Sequence, residues 1–142
     1  MDVLKLENQL CFPLYACSKE IIKKYQPFLN DLDLTYTQYI VMLVLWDEKC
    51  VNVKTLGEKL YLDSGTLTPL LKKLEIKGYI TRSKDKNDER NLVVSLSENG
   101  KKLKNKARNI PIKVGNCINL TKDETIGLYQ LLYKILGGIK DE

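Results

Sequence analysis

At 142 residues with 44% hydrophobic side chains the chain has the size and composition of one globular domain, and its net charge of +5 permits a polyanionic partner without demanding one. Histidine is absent, no glycine-rich phosphate loop occurs, and the four cysteines at 11, 17, 50 and 117 contain no pair with zinc-ligand spacing; this removes Ser-His-Asp and Cys-His catalysis, His-ligated metals and a histidine pH switch, so neither metal nor cofactor is expected. There is no positively charged leader before an apolar segment, and the longest apolar run, Tyr39 to Trp46, falls far short of the ~20 residues of a membrane span, so the expected location is the cytosol, where cysteines are seldom structural disulfides.

The first helix is predicted from about Asn8 to Leu29, with Cys11, Tyr15, Ser18, Ile22, Tyr25 and Leu29 on one heptad-spaced stripe. Pro13 fits only a first turn, so a helix that opens between Gln9 and Cys11 sets the Cys11 sulfur beside free backbone amides, at the positive end of the dipole. Thr35 with Gln38 three residues on is a capping-box pattern, and YIVMLVLW then supplies the body of a buried second helix. Val53 to Tyr61 gives a third helix, in which Leu56 and Leu60 face inward and Gly57 allows close approach of a partner.

In 64–77 the residues Leu67, Leu70, Leu71 and Leu74 fall at i, i+3, i+4 and i+7 and form one stripe that must pack on a core. The opposite face carries Gly65, Thr68, Pro69, Lys72, Lys73 and Ile76. Small residues, hydroxyls and lysines suit a major groove, where bulk obstructs and acid repels phosphate. Ser64, Gly65, Thr66, Thr68, Pro69, Lys72 and Lys73 are therefore the predicted contacts of a recognition helix. Asp63 or Ser64 is its cap and Gly78 its stop; Pro69 either distorts the first turn or starts the regular helix at Thr68. YITRSK and NLVVSLS, joined by DKNDER, then predict a two-stranded hairpin bearing Arg82, Lys84, Lys86 and Arg90, in which Arg82, Asp88 and Arg90 are the predicted DNA-binding residues. Arg90 is the candidate for an adjacent minor groove, and Asp88 the group that orients its guanidinium. Helix, turn, helix and hairpin in that order are the plan of a winged helix-turn-helix. The alternatives are a small α+β domain with solvated lysines and a winged helix that serves only protein contacts.

Ser97 is a cap candidate for the next segment, which has six basic residues over 101–120 and no acid between Glu98 and Asp123 and is read as solvated surface rather than a second nucleic-acid patch. Leu103, Ala107, Ile110, Val114 and Cys117 form a seam through Pro111 and Gly115, so this helix must bend or break at the proline. Thr121 with Glu124 opens a last helix with the stripe Leu128, Leu131, Leu132, Ile135, Leu136 and Ile139. Apolar helices at both ends flank a small unit that needs little of them, so the termini are expected to bury their stripes against a second copy. The expected fold is α+β, mostly α: a single domain over 1–142, with 35–97 as the winged helix-turn-helix and 1–34 and 98–142 as its helical dimerisation region.

LDSGTLTPLLKKLEIKGYITR followed by DERNLVVSLSENG resembles the multiple-antibiotic-resistance regulator (MarR) family of bacterial winged-helix repressors. LENQLCFPLYACSKEI with LTYTQYIVMLVLW is similar to the organic hydroperoxide repressor (OhrR) branch and its staphylococcal-type redox relatives. The likeness runs from about residue 4 to 110, and Pro13 departs from the branch's usual non-proline residue. It implies a homodimer on a palindromic site in double-stranded DNA, with Cys11 as the reactive cysteine and Tyr25 and Tyr36 as the hydroxyls that reach it from the other subunit. Tyr25 follows Cys11 by 14 residues, roughly 21 Å along a helix, so only a partner delivers it. Tyr15, one turn from Cys11, is a nearer neighbour.

An unperturbed thiol is only a few per cent thiolate at pH 7, so a peroxide sensor needs helix-end dipoles or hydroxyl donors. The position of Cys117 is similar to that of the second cysteine with which some hydroperoxide repressors resolve the sulfenic acid; others have one cysteine, capped by a small thiol. Cys17 and Cys50 are read as buried and inert. The implied function is that of a redox-sensing repressor, not an enzyme, that releases DNA when organic hydroperoxide oxidises Cys11. A regulator responding to another oxidant or to a small phenolic ligand, and a cysteine-based thiol peroxidase, are the alternatives.

Overall fold

The computed structural model describes residues 1–138; Ile139, the last residue of the predicted C-terminal stripe, lies outside them. The elements are α1 (Cys11–Asn30), α2 (Tyr36–Glu48), β1 (Cys50–Asn52), α3 (Val53–Leu60), α4 (Ser64–Ile76), β2 (Ile80–Lys84), β3 (Leu92–Leu96), α5 (Glu98–Ala107), α6 (Ile110–Gly115) and α7 (Lys122–Gly138). Asn8 belongs to a separate 3₁₀ turn, Leu6–Asn8, and Gln9 is extended, so α1 opens three residues later than predicted. Pro13 falls in its first turn, where no intrahelical donor is lost.

At the centre lies α2. Thr35 and Gln38 form the reciprocal cap, Gln38 N–H donating to Thr35 Oγ1 at 3.3 Å and Thr35 N–H to Gln38 Oε1 at 3.0 Å. Val41, Met42 and Leu45 are fully buried, each worth roughly 1.5–3 kcal/mol of transfer free energy. Trp46 Nε1 donates to the Gly100 carbonyl at 2.9 Å and thereby satisfies the one polar atom of a buried indole. Around α2 one continuous core gathers Leu29, Leu56, Leu67, Leu71, Leu74, Ile80, Val94 and Val114.

The turn between α3 and α4 is tight because Gly57 has no side chain: a Cβ there would stand 2.8 Å from the Leu62 carbonyl oxygen. Asp63 caps α4 by accepting from Thr66 N–H at 2.7 Å. The alternative that the regular helix starts at Thr68 does not hold, since α4 runs from Ser64 with Pro69 inside it. Pro69 withholds a donor from the carbonyl of Gly65, an exposed residue in the turn that Asp63 caps. Gly78, at φ +85°, ends the helix in a Schellman arrangement with Gly78 N–H to Glu75 O at 2.9 Å and Tyr79 N–H to Leu74 O at 3.1 Å.

The sheet has three antiparallel strands in the order β1-β3-β2 rather than two, with Val51 opposite Val94 and Ile80 opposite Leu96. Three residues with a single buried side chain give no readable alternation, which hides β1 in the sequence. As expected, the chain breaks at Pro111: α5 ends at Ala107 and α6 begins with the proline in its first turn. The seam of Leu103, Ala107, Ile110 and Val114 is buried, but Cys117 is exposed, because α6 ends at Gly115 and carries the chain off the helical phase. Thr121 and Glu124 form the second reciprocal cap, at 2.9 and 3.2 Å.

Burial along α1 rises from the exposed Cys11, Tyr15 and Ser18 through half-buried Ile22 and Tyr25 to buried Leu29. Nothing in the described residues of α7 is buried: Leu128, Leu131, Leu132 and Ile135 are 37% to 60% exposed. The predicted burial of Cys17 and Cys50 is corrected, since both are exposed. Cys17 lies on the unpacked half of α1, and Cys50 opens the edge strand β1, where Ser95 Oγ donates to its sulfur at 3.6 Å.

Candidate nucleic-acid face and thiol site

The outer face of α4 presents Ser64, Gly65, Thr66, Thr68, Pro69, Lys72 and Lys73 to solvent along 64–73. Beside it stands the wing. Its tip is closed by Asp85 N–H to Asn91 O at 2.9 Å and Asn91 N–H to Asp88 O at 3.0 Å. Asp88 Oδ1 accepts from Arg90 N–H and Nε, and Oδ2 from Nη2, each at 3.1 Å. These bonds from Arg90 hold the Asp88 carboxyl below the usual carboxylate range. The Arg90 side chain, 89% exposed, is thus held at the surface by an acid that is itself occupied.

Arg82 is placed differently from Arg90. Its Nη2 and Nε donate to Glu75 Oε1 at 3.0 and 3.3 Å and its backbone N–H to Glu75 Oε2 at 3.0 Å, so it fastens the root of the wing to α4. Those bonds depress the Glu75 carboxyl below its ordinary range. The i, i+7 spacing of Glu75 and Arg82 across Gly78 was the only sequence signal for this tie. Between α3, the start of α4 and the wing opens a cleft of about 680 Å³ lined by Lys54, Tyr61, Ser64, Arg90 and Leu92 among others.

Cys11 is the first residue of α1 and is exposed, with Leu10, Phe12 and Leu14 as exposed apolar neighbours. Tyr15 lies one turn on, its ring 6.4 Å from that of Phe12 and 6.0 Å beneath Lys19 Nζ. The structure brings Tyr25 and Tyr36 together, ring centroids 5.0 Å apart in an edge contact. Tyr39, which the sequence reading passed over, completes the cluster at 5.7 Å from Tyr25 and 6.1 Å from Tyr36. Burial raises all three phenols, Tyr39 to about 12, so at neutral pH each keeps its proton and is a donor. This cluster sits at the opposite end of α1 from Cys11. Lys113 Nζ lies 5.4 Å over Phe28, so α6 packs on that same far half of α1. Cys117 follows one turn later, its thiol donating to Lys113 O at 3.5 Å.

A small winged sheet, a basic helix face and an exposed arginine together define a winged-helix transcriptional regulator. Residues 23–107 match the family described as transcriptional regulator SarA/Rot. The chain is 50% identical over 138 residues to the organic hydroperoxide resistance transcriptional regulator of Bacillus subtilis, covering 95% of this chain and 92% of that one. It is 54% identical over 132 residues to the HTH-type transcriptional regulator SarZ of Staphylococcus saprophyticus, covering 93% and 90%. Among solved structures it is similar to AbfR of Staphylococcus epidermidis. The reduced AbfR bound to DNA matches with a TM-score of 0.78 at 31% identity over 100% of both chains, and the disulfide-formed AbfR with 0.65 at 33% identity over 96% and 93%. The chain belongs to the MarR family of winged-helix regulators, in its organic hydroperoxide repressor-like branch. Its relatives are transcriptional regulators, a class without enzymatic activity.

Proposed function

We propose that the protein is a cytoplasmic, homodimeric repressor that holds a palindromic DNA operator while Cys11 is reduced and releases it when an organic hydroperoxide oxidises Cys11. The Cys11 thiolate attacks the peroxide oxygen, the O–O bond breaks, and the alcohol departs with a proton while sulfur becomes a sulfenic acid. The thiol of Cys117 from the other subunit then displaces water and forms an intersubunit disulfide. The observation that carries this reading is the separation within one chain: Cys11 opens α1, and the protonated pair Tyr25 and Tyr36 lies at its other end. Two antiparallel copies of α1 would bring each thiol to the partner's phenols. Exposed Leu10, Phe12 and Leu14 favour an organic over an inorganic peroxide. The nearer likeness to DNA-bound AbfR, whether reduced or overoxidized, than to disulfide-formed AbfR supports a binding-competent conformation.

The test is Cys11→Ser in an operator gel shift with and without cumene hydroperoxide. The variant should bind DNA as the wild type does and ignore the peroxide; release by the variant would place the sensor elsewhere. On non-reducing electrophoresis, mild oxidation should give a covalent dimer that both Cys11→Ser and Cys117→Ser lose. A wild type that stays monomeric and gains the mass of a small thiol at Cys11 belongs to the one-cysteine type. A second reading, a regulator of the same family that answers a small phenolic ligand, is favoured by the cleft beside Arg90. Release of DNA by salicylate from Cys11→Ser would support it.

A further inference from the structure

The cluster of Lys77, Asp33 and Gln38 connects the tyrosine-bearing corner between α1 and α2 with the end of the recognition helix. We propose that Lys77 is a positioning residue that ties the tyrosine-bearing corner between α1 and α2 to the end of the recognition helix, so that oxidation at Cys11 is felt by α4 and the wing. The inference rests on the redox reading above and names the route by which that reading reaches DNA.

Lys77 caps the C-terminus of α4, yet its side chain turns away from the face that carries Lys72 and Lys73. Its Nζ donates to the Asp33 carbonyl and, at 3.2 Å, to Gln38 Oε1, and lies 3.6 Å from Asp33 Oδ2. An ammonium has three donors; two of them are bonded to the α1–α2 corner, and the Asp33 carboxylate of that same corner stands at ion-pair distance. With its side chain only 25% exposed, Lys77 is withdrawn from the solvent that a phosphate-binding lysine of this surface would need.

The acceptors are themselves held. Asp33 is in the left-handed region at φ +54°, in a corner fixed by Asp33 N–H to Asn30 O and Leu34 N–H to Leu29 O, both at 3.1 Å. Gln38 is 3% exposed, and the oxygen it offers Lys77 is the same one that accepts from Thr35 N–H in the cap of α2. Tyr36 follows Thr35 directly and meets Tyr25 edge-on. A displacement of Tyr36 therefore drags the Thr35–Gln38 cap, and with it the anchor of Lys77. On the other side, Glu75, two residues before Lys77, is bonded to Arg82 at the wing root. A ring contact, backbone links and the bonds Thr35–Gln38, Gln38–Lys77 and Glu75–Arg82 thus lead from the tyrosines to the last turn of α4 and on to the wing. The leucine packing between α2 and α4 can slide by a rotamer change; this chain of bonds has two discrete states, made or broken.

The test compares operator affinity of reduced and peroxide-oxidised protein, full length, in wild type, Lys77→Met and Lys77→Arg. Lys77→Met should bind operator when reduced within about threefold of wild type, while its ratio of reduced to oxidised affinity falls at least tenfold, about 1.4 kcal/mol of coupling. Lys77→Arg, which keeps the donors, should retain most of the wild-type ratio. A merely structural lysine would lower both affinities and leave the ratio alone, so an unchanged ratio in Lys77→Met overturns the proposal. Amide exchange without DNA gives a second readout should the variant lose affinity outright. Oxidation should alter protection of Gly78 and Tyr79 N–H in wild type, and in Lys77→Met only that of the α1–α2 corner; an α4 end that still responds overturns the link. A wild type whose operator affinity ignores cumene hydroperoxide overturns the redox reading, and the link with it. A responding wild type beside an equally responding Lys77→Met overturns the link alone.

Discussion

Asp88 and Arg90, two residues apart, show how a single acid serves a basic face: three hydrogen bonds occupy both its oxygens and hold the Arg90 side chain at the surface. Arg90→Ala should cost operator binding roughly 1–3 kcal/mol and relax preference at the bases beneath the wing. Lys72→Ala should weaken binding evenly across sequences and flatten the salt slope by about one unit. Fluorescence anisotropy over a salt series separates the two, and unchanged affinity in both variants would sink the DNA-reading face. Glu75 bears instead on stability. Arg82 depresses its carboxyl below the ordinary 4.5, so the folded state holds that proton less tightly than the unfolded chain. The pair's contribution is complete above the unfolded value and is lost as pH falls through the depressed one. Glu75→Gln should therefore be less stable than wild type at pH 7, and urea titrations should show the gap closing toward pH 3; a gap independent of pH would count against the pair.

Among the elements, the junction of α5 with the wing is the most confined. A Cβ on Gly100 would stand 2.3 Å from the Tyr79 carbonyl oxygen and 2.7 Å from Leu96 Cδ1, and the Gly100 carbonyl also takes the Trp46 bond. Gly100→Ala should push α5 off the sheet and lower stability by about 1–3 kcal/mol, read as a drop in Tm with a change in tryptophan emission. Both reciprocal caps, Thr35 with Gln38 and Thr121 with Glu124, form as their spacing predicts, because each bond is local to four residues. The strand β1 and the Glu75–Arg82 tie depend on partners that the chain brings together only after folding.

At the scale of the molecule the apolar side chains of α7 and of the first half of α1 have no cover among the described residues, and the homodimer proposed above would bury their stripes. Leu131, 60% exposed in the middle of α7, is the residue to change. Leu131→Asp should shift the protein from dimer to monomer in sedimentation velocity and, by halving the number of reading heads per particle, weaken operator binding more than tenfold. A dimer that survives this change would move the interface away from α7.

What the sequence by itself determined is whatever repeats or closes within a few residues. The leucine stripe of α4, its exposed basic face, the Asp63 cap, the Gly78 stop, the break at Pro111 and the hairpin all follow from period, capping and turn chemistry. The grouping of Tyr25 with Tyr36, the withdrawal of Lys77 from the basic face and the exposure of Cys17, Cys50 and Cys117 were decided by tertiary structure alone. The physical reason is the same in each case: burial and hydrogen-bond partnership depend on which surfaces meet, and a cysteine or lysine carries no local signal of what will pack against it.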